Sequence, residues 1–393
     1  MSPAPTTIPR ADLVAALVER TRAGAPLLLT GPPGAGKTTL LLQVADELRR
    51  HGAVPVYLDF FGACSSAERF VRSALAALPA GGFGPRLAEA VEIRRRADAG
   101  RLQGEPAVRA LLELLAAADR AGDRPLVLLL DEPTEIRSLA YFPGLRQAHA
   151  LLAAALRRRA RGTLLASSFP TQAREMFGFE ALALPPLSAA ELAAAGLPTR
   201  AAEPLLRLTG GLPRYLRILL EAGAEDPLAE WSRAMAPGGA LDQACHWAYE
   251  ALLLRSRGYG MSKAVLAAVA QEEGLNLTAL VARLGRTPGA TRDYLQWLLD
   301  VDALRMARKR YFYVDPLLRQ WVRLHQRGTP AGPADLQRVG QELLQAQPAE
   351  PEPARRSRGA RAAAAVENAF EPAAEEPAAA PPRRKPSLDI EID

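Results

Sequence analysis

A glycine-rich segment near the N-terminus has the residue types and the spacing needed to hold a chain of phosphate groups. It follows the pattern G-x-x-x-x-G-K-[ST] and lies between an apolar run, 26–30, and a helix-forming run, 40–48. Its residues are Gly31, Pro32, Pro33, Gly34, Ala35, Gly36, Lys37, Thr38 and Thr39. Main-chain N–H groups and a helix N-terminus attract anions. We therefore expect Lys37 to contact phosphate and Thr38 to bind Mg²⁺.

Two acidic residues follow a continuous apolar run within the predicted α/β part. Residues 126–130 are all apolar, and Asp131 and Glu132 come directly after them. A buried parallel strand in this place ends beside the glycine-rich loop, so Asp131 is predicted to hold Mg²⁺ and Glu132 to polarise a water molecule. Alternatively, the two acids cap the N-terminus of a helix, since Pro133 follows them and proline is common at the first helical position. Combined with Lys37, they predict hydrolysis of the terminal phosphate of ATP.

The next predicted strand, 162–167, also ends in polar residues. Ser167 and Ser168 stand where a hydroxyl can bond the terminal phosphate or the attacking water. We assign this role to Ser167, with Ser168 as the alternative. A solvated loop serine or a helix cap explains the pattern equally well.

These residues require a parallel sheet to bring them together. Short apolar runs alternate with helix-forming runs across residues 1–185, a pattern typical of α/β proteins with a sheet covered on both faces. The predicted strands are 26–30, 54–60, 125–130, 162–167 and 182–184.

The rest of the chain divides into three predicted parts. Residues 186–258 have helical periodicity and predict an all-α domain, with Ser188 and Glu191 in a capping box. Residues 259–328 predict three helices followed by a two-stranded ribbon, the plan of a winged helix-turn-helix domain. Residues 329–393 are rich in Pro, Ala and Glu and predict a mostly disordered tail with one short helix near 334–345.

Composition restricts the class of protein further. The 393 residues are 49% hydrophobic and 23% charged, which suits two or three globular domains. No apolar run reaches about eighteen residues and the N-terminus lacks a signal-peptide pattern, so we expect no membrane association and a cytoplasmic location. Cys64 and Cys245 match no metal-binding spacing. The net charge of +6 favours an anionic partner, and the nucleotide alone would account for part of it.

Residues 8–326 resemble the archaeal-type ATPase family of the AAA+/STAND P-loop NTPases, which is related to the Orc1/Cdc6 initiators. The resemblance rests on the glycine-rich loop, on the Asp-Glu pair and on three further segments. These are 184–188 (Leu-Pro-Pro-Leu-Ser), 209–216 (Thr-Gly-Gly-Leu-Pro-Arg-Tyr-Leu) and 312–321, which resembles the family's wing and the helix after it. The implied fold is an α/β P-loop NTPase core, a helical lid and a winged helix.

The resemblance implies additional nucleotide contacts. Gly211 and Pro213 match the lid segment that packs on the nucleotide, although a helix stop and a helix start explain both residues without a ligand. Arg10 matches a residue near adenine, or is a surface arginine. Arg214 or Arg217 would act as a sensor of the terminal phosphate. An arginine finger, which stabilises charge on the phosphate being transferred, would come from a neighbouring subunit and imply a homo-oligomer. The candidates are Arg157, Arg158, Arg159 and Arg161. Alternatively, this run of charges forms a solvated helix face.

Basic residues of the predicted winged helix suggest contacts with double-stranded DNA. The candidates are Arg286, Thr291, Arg292, Arg308, Lys309 and Arg310. Arginine and lysine there would contact phosphates, and Tyr311 would pack on a sugar. The alternative is a winged helix that contacts a protein partner, with basic residues that are simply solvated.

Two hypotheses of function follow. In the first, the chain binds and hydrolyses Mg-ATP, and exchange between ATP and ADP switches the exposure of the winged helix. In the second, it is a nucleotide-gated module that binds DNA or recruits a protein, with little or no turnover.

Overall fold

The computed structural model describes residues 8–24, 26–79, 87–121, 123–159, 162–223, 226–326 and 328–346. These residues belong to one compact unit. The predicted tail beyond 346 and the candidate finger Arg161 lie outside them. Within the described residues, no helix combines the length and the apolar character needed to cross a bilayer.

A parallel sheet of five strands forms the centre of the N-terminal part, in the order β2-β4-β5-β1-β6, and a short sixth strand, β3, runs antiparallel to β4. The strands are β1 Leu27–Thr30, β2 Val54–Asp59, β3 Arg120–Ala121, β4 Arg124–Asp131, β5 Thr163–Ser167 and β6 Glu180–Ala183. The five predicted strands are confirmed to within about two residues, and only β3 was not predicted. Since all five run in one direction, their polar carboxyl ends meet at one edge.

Helices cover both faces of this sheet. They are α1 Ala11–Ala23, α2 Lys37–Arg50, α3 Phe60–Ala63, α4 Ala67–Ala77, α5 Leu87–Asp98, α6 Gly104–Ala117, α7 Ala148–Arg157 and α8 Pro170–Phe177. A 3₁₀ helix, Pro133–Tyr141, follows β4. Side chains of successive strand residues enter two separate apolar clusters, one on each face. This two-sided burial explains why the strands are apolar throughout.

Residues 189–255 are helical, as predicted. The helices are α9 Ala189–Ala194, α10 Thr199–Thr209, α11 Pro213–Ala222, α12 Pro227–Met235 and α13 Ala240–Arg255. The predicted capping box is confirmed: the Ser188 side chain accepts a hydrogen bond from the Glu191 N–H, and the Glu191 carboxylate accepts one from the Ser188 N–H.

The third part has the predicted order of elements. The helices α14 Tyr259–Gln271, α15 Leu277–Leu284 and α16 Pro288–Asp300 precede the antiparallel strands β7 Leu304–Ala307 and β8 Arg310–Tyr313. Arg308 and Lys309 form the turn of this hairpin, both with positive φ. Helices α17 Pro316–His325 and α18 Pro333–Gln345 follow.

Helix α18 confirms the short helix predicted near 334–345. It packs against α12 so closely that a Cβ on Gly340 would lie 2.4 Å from Leu228 and 3.2 Å from Trp231. Glycine therefore permits this close contact, which joins α18 to the preceding helices.

Candidate functional site

A cavity of about 470 Å³ lies where the carboxyl edge of the sheet faces helix α11. That volume is in the range of small-molecule binding sites. Its wall on the sheet side includes residues 34–40, Glu132 and Ser168, and its opposite wall includes Ile8, Arg10, Leu187, Pro213, Arg214, Arg217 and Leu220. The structure thus brings most of the predicted loop, together with Arg10 and Pro213, to one cavity.

The glycine-rich loop is shaped by two glycines that other residues could not replace without strain. Gly34 and Gly36 have φ angles of 84° and 91°, and Gly36 leads directly into α2. A Cβ on Gly34 would lie 2.7 Å from the Arg214 side chain, and one on Gly36 would lie 3.4 Å from Pro213. The Gly34 carbonyl accepts a hydrogen bond from the Arg214 main-chain N–H, at 3.2 Å. Loop and α11 therefore form the cavity together.

Lys37 begins α2 and is buried in this cavity. Its Nζ donates to the carbonyls of Gly31 and Pro32, at 2.9 and 3.1 Å, and stands 4.0 Å from Glu132 Oε1. Burial lowers the pKa of Lys37, and the nearby carboxylates of Glu132 and Asp131 counteract this. The two carbonyls are weak partners for an ammonium group, so an incoming phosphate is a better one.

Asp131 ends β4 and receives two hydrogen bonds on one oxygen. Thr38 Oγ1 donates to its Oδ2 at 2.6 Å, and the Tyr57 hydroxyl donates to the same atom at 3.0 Å. The other oxygen, Oδ1, is buried and has no hydrogen-bond partner in the part of the chain that the structure describes. A carboxylate and a hydroxyl in contact are the oxygen ligands that Mg²⁺ prefers, and an unpartnered buried oxygen is suited to a cation or its water. The residues present fit a magnesium site.

Tyr57 was missed by the sequence analysis, because an isolated tyrosine in an apolar strand carries no motif. Burial raises the pKa of Tyr57, and the Asp131 carboxylate adds to the shift, so its hydroxyl remains a donor at neutral pH.

Glu132 directly follows Asp131 and has a left-handed backbone, with φ 47° and ψ 50°. Such a conformation is uncommon for glutamate and typical of functional sites. Its carboxylate accepts from the Ser168 N–H at 2.9 Å and from the Ser168 hydroxyl. Burial raises the pKa of Glu132, whereas Lys37 and the bonds from Ser168 oppose that rise.

Ser168, and not Ser167, lines the cavity. Ser167 is fully buried, and its hydroxyl accepts a hydrogen bond from the Phe169 N–H at 3.2 Å. The Ser167 hydroxyl also donates to Glu132 Oε2 at 3.5 Å, so both serines contact this carboxylate. The cavity lining favours Ser168, the alternative candidate, and the phosphate-sensing role stays a prediction for both. Strand β5 ends at Ser167, so the residue after it is the first one free to turn toward the cavity.

Arg10 and Gly211 hold the chain where it enters the helical part. Arg10 Nε donates to Glu191 Oε1 at 2.6 Å, and its Nη1 donates to the Pro185 carbonyl at 3.0 Å. Gly211, with φ 67°, does not line the cavity; its carbonyl accepts from the Leu187 N–H at 2.9 Å. A direct nucleotide contact of Gly211 remains a prediction, while its observed role is to fix Leu187, which does line the cavity.

Arg214 connects the cavity to helix α17. Its Nη2 donates to the Tyr215 hydroxyl at 2.9 Å and to the Ala244 carbonyl at 3.0 Å, while its Nε is buried without a partner. The Tyr215 hydroxyl donates in turn to Asp315 Oδ2 at 2.7 Å. Asp315 is the N-cap of α17. Of the two predicted sensor arginines, Arg217 also lines the cavity but is largely exposed.

One candidate arginine finger is excluded. Arg159 is buried and donates to the carbonyls of Leu115, Ala118 and Leu126, so its guanidinium stabilises the core. Arg157 and Arg158 are exposed. Arg161 lies outside the described residues, so the predicted homo-oligomer with a finger in trans rests on Arg157, Arg158 or Arg161.

The predicted DNA contacts divide into two groups. Arg286, Arg292, Arg308, Lys309 and Arg310 are exposed. Thr291 is fully buried and its hydroxyl donates to the Thr287 carbonyl at 3.0 Å, so it cannot reach DNA. Tyr311 is also buried, which excludes packing on a sugar. Both errors have one cause: these residues face the core of their own domain.

The comparisons with known proteins agree with this geometry. Residues 10–166 match the family described as the AAA ATPase domain. No curated protein sequence matches the chain. The Walker-type ATPase PABY2304 of Pyrococcus abyssi is structurally similar, with a TM-score of 0.60 and 15% identity over 82% of this chain and 98% of that one.

Two other solved structures superpose less well. The RuvB Holliday junction branch migration motor of Thermotoga maritima has a TM-score of 0.34 and 16% identity, over 83% of this chain and 99% of that one. AMPPCP-bound DnaA from Aquifex aeolicus has a TM-score of 0.32 and 13% identity, over 72% and 85%. Neither likeness is close enough to carry an argument, and the Orc1/Cdc6 relation stays a prediction. Residues 10–166 are thus similar in sequence to the AAA ATPase domain, and the fold of the chain is similar to that of a Walker-type ATPase.

Proposed function

We propose that this chain binds Mg-ATP in the cavity and hydrolyses it as a conformational switch acting on residues 259–325. The observation that carries the proposal is the convergence of four groups from two chain segments. Lys37 and Thr38 begin α2, Asp131 ends β4, and Glu132 directly follows it. The contacts between them, of 2.6 Å for Thr38 with Asp131 and 4.0 Å for Lys37 with Glu132, support roles as phosphate-binding cation, metal ligands and base within one site.

Each group has a distinct part in the chemistry. Main-chain N–H groups of residues 34–38 and the N-terminus of α2 bind the phosphates of ATP. Lys37 exchanges its two carbonyl partners for phosphate oxygens and offsets negative charge there. Thr38 and Asp131 would hold Mg²⁺, which when bound neutralises charge on the phosphates. Glu132 accepts a hydrogen bond from the attacking water and orients it, with Ser168 beside it.

The switch is supported by contacts that join the cavity to the third part of the chain. Arg214 lines the cavity and reaches the N-cap of α17 through Tyr215 and Asp315. If a phosphate draws the Arg214 guanidinium toward it, the Tyr215 hydroxyl loses a partner. The change at the cavity therefore reaches α17 directly.

A second connection begins at the end of β5. Helix α8 follows Ser168 closely, and its Thr171 donates from N–H and hydroxyl to Asp302, at 3.0 and 2.7 Å. Asp302 directly precedes the β7–β8 hairpin. A displacement of Ser168 together with Glu132 would therefore shift α8 and, through Asp302, the β7–β8 hairpin.

The decisive experiment is Glu132→Gln. This variant keeps the size of the side chain but removes the base, so we expect ATP to bind as to the wild type and hydrolysis to fall by about 10²- to 10⁴-fold. Phosphate release and binding of a fluorescent ATP analogue measure the two quantities. Glu203→Gln, at an exposed position on α10, is the matched control and should leave both unchanged. Hydrolysis by E132Q at the wild-type rate would exclude Glu132 as the base.

DNA binding is the second candidate function, with a cytoplasmic location proposed for both. It is favoured by four exposed basic residues: Arg286 just before α16, Arg292 on α16, and Arg308 and Lys309 in the hairpin turn. A gel shift with duplex DNA at two salt concentrations, with and without ATP, tests it. Affinity that falls steeply with salt and is lost in R308E/K309E supports phosphate contacts. No binding at low salt would favour a protein partner.

A further inference from the structure

We propose that Tyr57 is a positioning residue for the magnesium site: its hydroxyl fixes the Asp131 carboxylate so that Oδ1 faces the cation of bound Mg-ATP. This inference rests on the proposed function, because it assigns a role within the same site. No motif predicts it, since it depends on a contact between two strands 74 residues apart.

Strand register brings the two residues together. In the β2–β4 pair, Tyr57 lies opposite Leu129 and Asp59 lies opposite Asp131. Residues two apart on one strand share a face, so Tyr57 and Asp131 are diagonal neighbours on the same side of the sheet. A diagonal gap is too long for most polar side chains but within the reach of a tyrosine. The ring packs against the apolar cluster on that face, which holds the hydroxyl in place.

The distribution of hydrogen bonds defines the role. Thr38 and Tyr57 both donate to Oδ2, at 2.6 and 3.0 Å, whereas Oδ1 is buried with no partner. A carboxylate held by one donor can rotate and exchange its two oxygens; a second donor on the same atom prevents this. The Thr38 hydroxyl has one proton and two lone pairs, so it can donate to Asp131 and still offer an oxygen to the metal.

Leaving a buried carboxylate oxygen unpartnered is costly in the absence of a cation. The arrangement is therefore complete only with a positive ligand or its water at Oδ1. A purely structural role for Tyr57 would instead use its hydroxyl to satisfy whichever carboxylate oxygen has no other donor. Here the Tyr57 hydroxyl adds a second hydrogen bond to Oδ2, as expected if it holds the carboxylate in its metal-binding orientation before the metal arrives.

The test is Tyr57→Phe in the full chain, which removes the hydroxyl and keeps the ring. Binding of a fluorescent ATP analogue is measured in EDTA and then during titration with Mg²⁺. We expect affinity in EDTA to stay within about twofold of the wild type, because the phosphate-binding N–H groups are unchanged. The Mg²⁺ concentration for half of the metal-dependent gain should rise about three- to tenfold, as expected for the typical net contribution of one hydrogen bond, because Thr38 still holds the same carboxylate.

Electron paramagnetic resonance of Mn²⁺ in the presence of nucleotide gives a second readout, independent of turnover. It should show Mn²⁺ binding weakened by the same factor. The matched control is Tyr294→Phe, another half-buried tyrosine, whose hydroxyl has no hydrogen-bond partner among the described residues. This control should behave as the wild type in both measurements.

The outcomes separate the two proposals. If the wild type binds nucleotide with a clear Mg²⁺ gain and Y57F shows the same metal dependence, the role of Tyr57 is refuted and the proposed function stands. If Y57F loses affinity equally in EDTA and in Mg²⁺, Tyr57 is structural and the inference is also refuted. If the wild type shows no nucleotide affinity, the proposed function fails and the inference falls with it.

Discussion

Tyr215→Phe tests whether the connection between the cavity and α17 depends on a single hydroxyl. Tyr215 is fully buried, and its hydroxyl accepts from Arg214 and donates to Asp315. Asp315 is buried too, and its other oxygen accepts from the N–H groups of Leu317 and Leu318. Removal of the hydroxyl leaves Asp315 Oδ2 buried with no replacement partner.

The expected cost is large for the removal of one atom. A hydrogen bond to a charged group contributes about 1.5–3 kcal/mol, and a buried polar atom left unpaired costs a similar amount. We therefore expect Y215F to lower the free energy of unfolding by about 2 kcal/mol. Burial raises the pKa of Asp315, and the hydrogen bond from Tyr215 opposes that rise, so Y215F removes one of the groups that stabilise the buried carboxylate.

The chain provides a matched control in Tyr249. This tyrosine is equally buried, and its hydroxyl has no hydrogen-bond partner. Tyr249→Phe removes the same atom without breaking a bond, so stability should be unchanged or should rise by up to about 1 kcal/mol. The difference between the two variants isolates the hydrogen bond from the general effect of losing a hydroxyl.

Urea unfolding followed by circular dichroism and tryptophan fluorescence measures both variants. Equal slopes with a lower midpoint for Y215F would show loss of stability without a change in the unfolded state. The reasoning is refuted if Y215F loses less than about 0.5 kcal/mol, a typical value for a neutral substitution, or if Y249F loses as much.

Two further predictions concern Asp302 and Gly211. Burial raises the pKa of Asp302 to about 6 from 3.8, so the folded state binds its proton more tightly and stability falls as pH rises between these values. Asparagine cannot titrate, so Asp302→Asn should remove up to about 3 kcal/mol of the change in unfolding free energy between pH 3.5 and 7, measured by urea unfolding. If the variant's unfolding free energy depends on pH as the wild type's does, the raised pKa of Asp302 is contradicted. Gly211→Ala combines a left-handed backbone with a Cβ 2.8 Å from Pro186, whereas Gly178→Ala has the backbone strain but no atom within 4 Å. G211A should therefore lose at least about 1 kcal/mol more stability than G178A and bind ATP more weakly, and equal losses would exclude the close contact.

Local sequence was sufficient for the parts of the site that belong to one segment. The glycine-rich loop lies within nine residues, and two of its glycines, Gly34 and Gly36, have the positive φ angles that favour this residue type. Asp131 and Glu132 could be placed because an apolar run of this length has to be a buried strand, whose end lies at the sheet edge. Boundaries of the strands and helices were predictable for the same reason.

Errors arose where the direction of a side chain decided the outcome. Ser167 and Ser168 are identical in type and adjacent, and only the end of β5 shows which one reaches the cavity. Thr291 lies among exposed residues of α16 but faces inward. Arg159 belongs to a basic run typical of a solvated face, yet it bonds three buried carbonyls. Sequence periodicity predicts which side of a helix is buried on average, but it does not predict the contacts of each residue on that side.

The sequence by itself determined that the chain would fold around a phosphate-binding loop and a strand ending in two acids, because those features depend on neighbouring residues and on backbone geometry. The tertiary structure alone decided that Tyr57 holds Asp131 and that Arg214 reaches Asp315 through Tyr215. These contacts join residues 74 to 100 positions apart. Their distances are set by strand register and helix packing across the whole unit, and no local pattern encodes them.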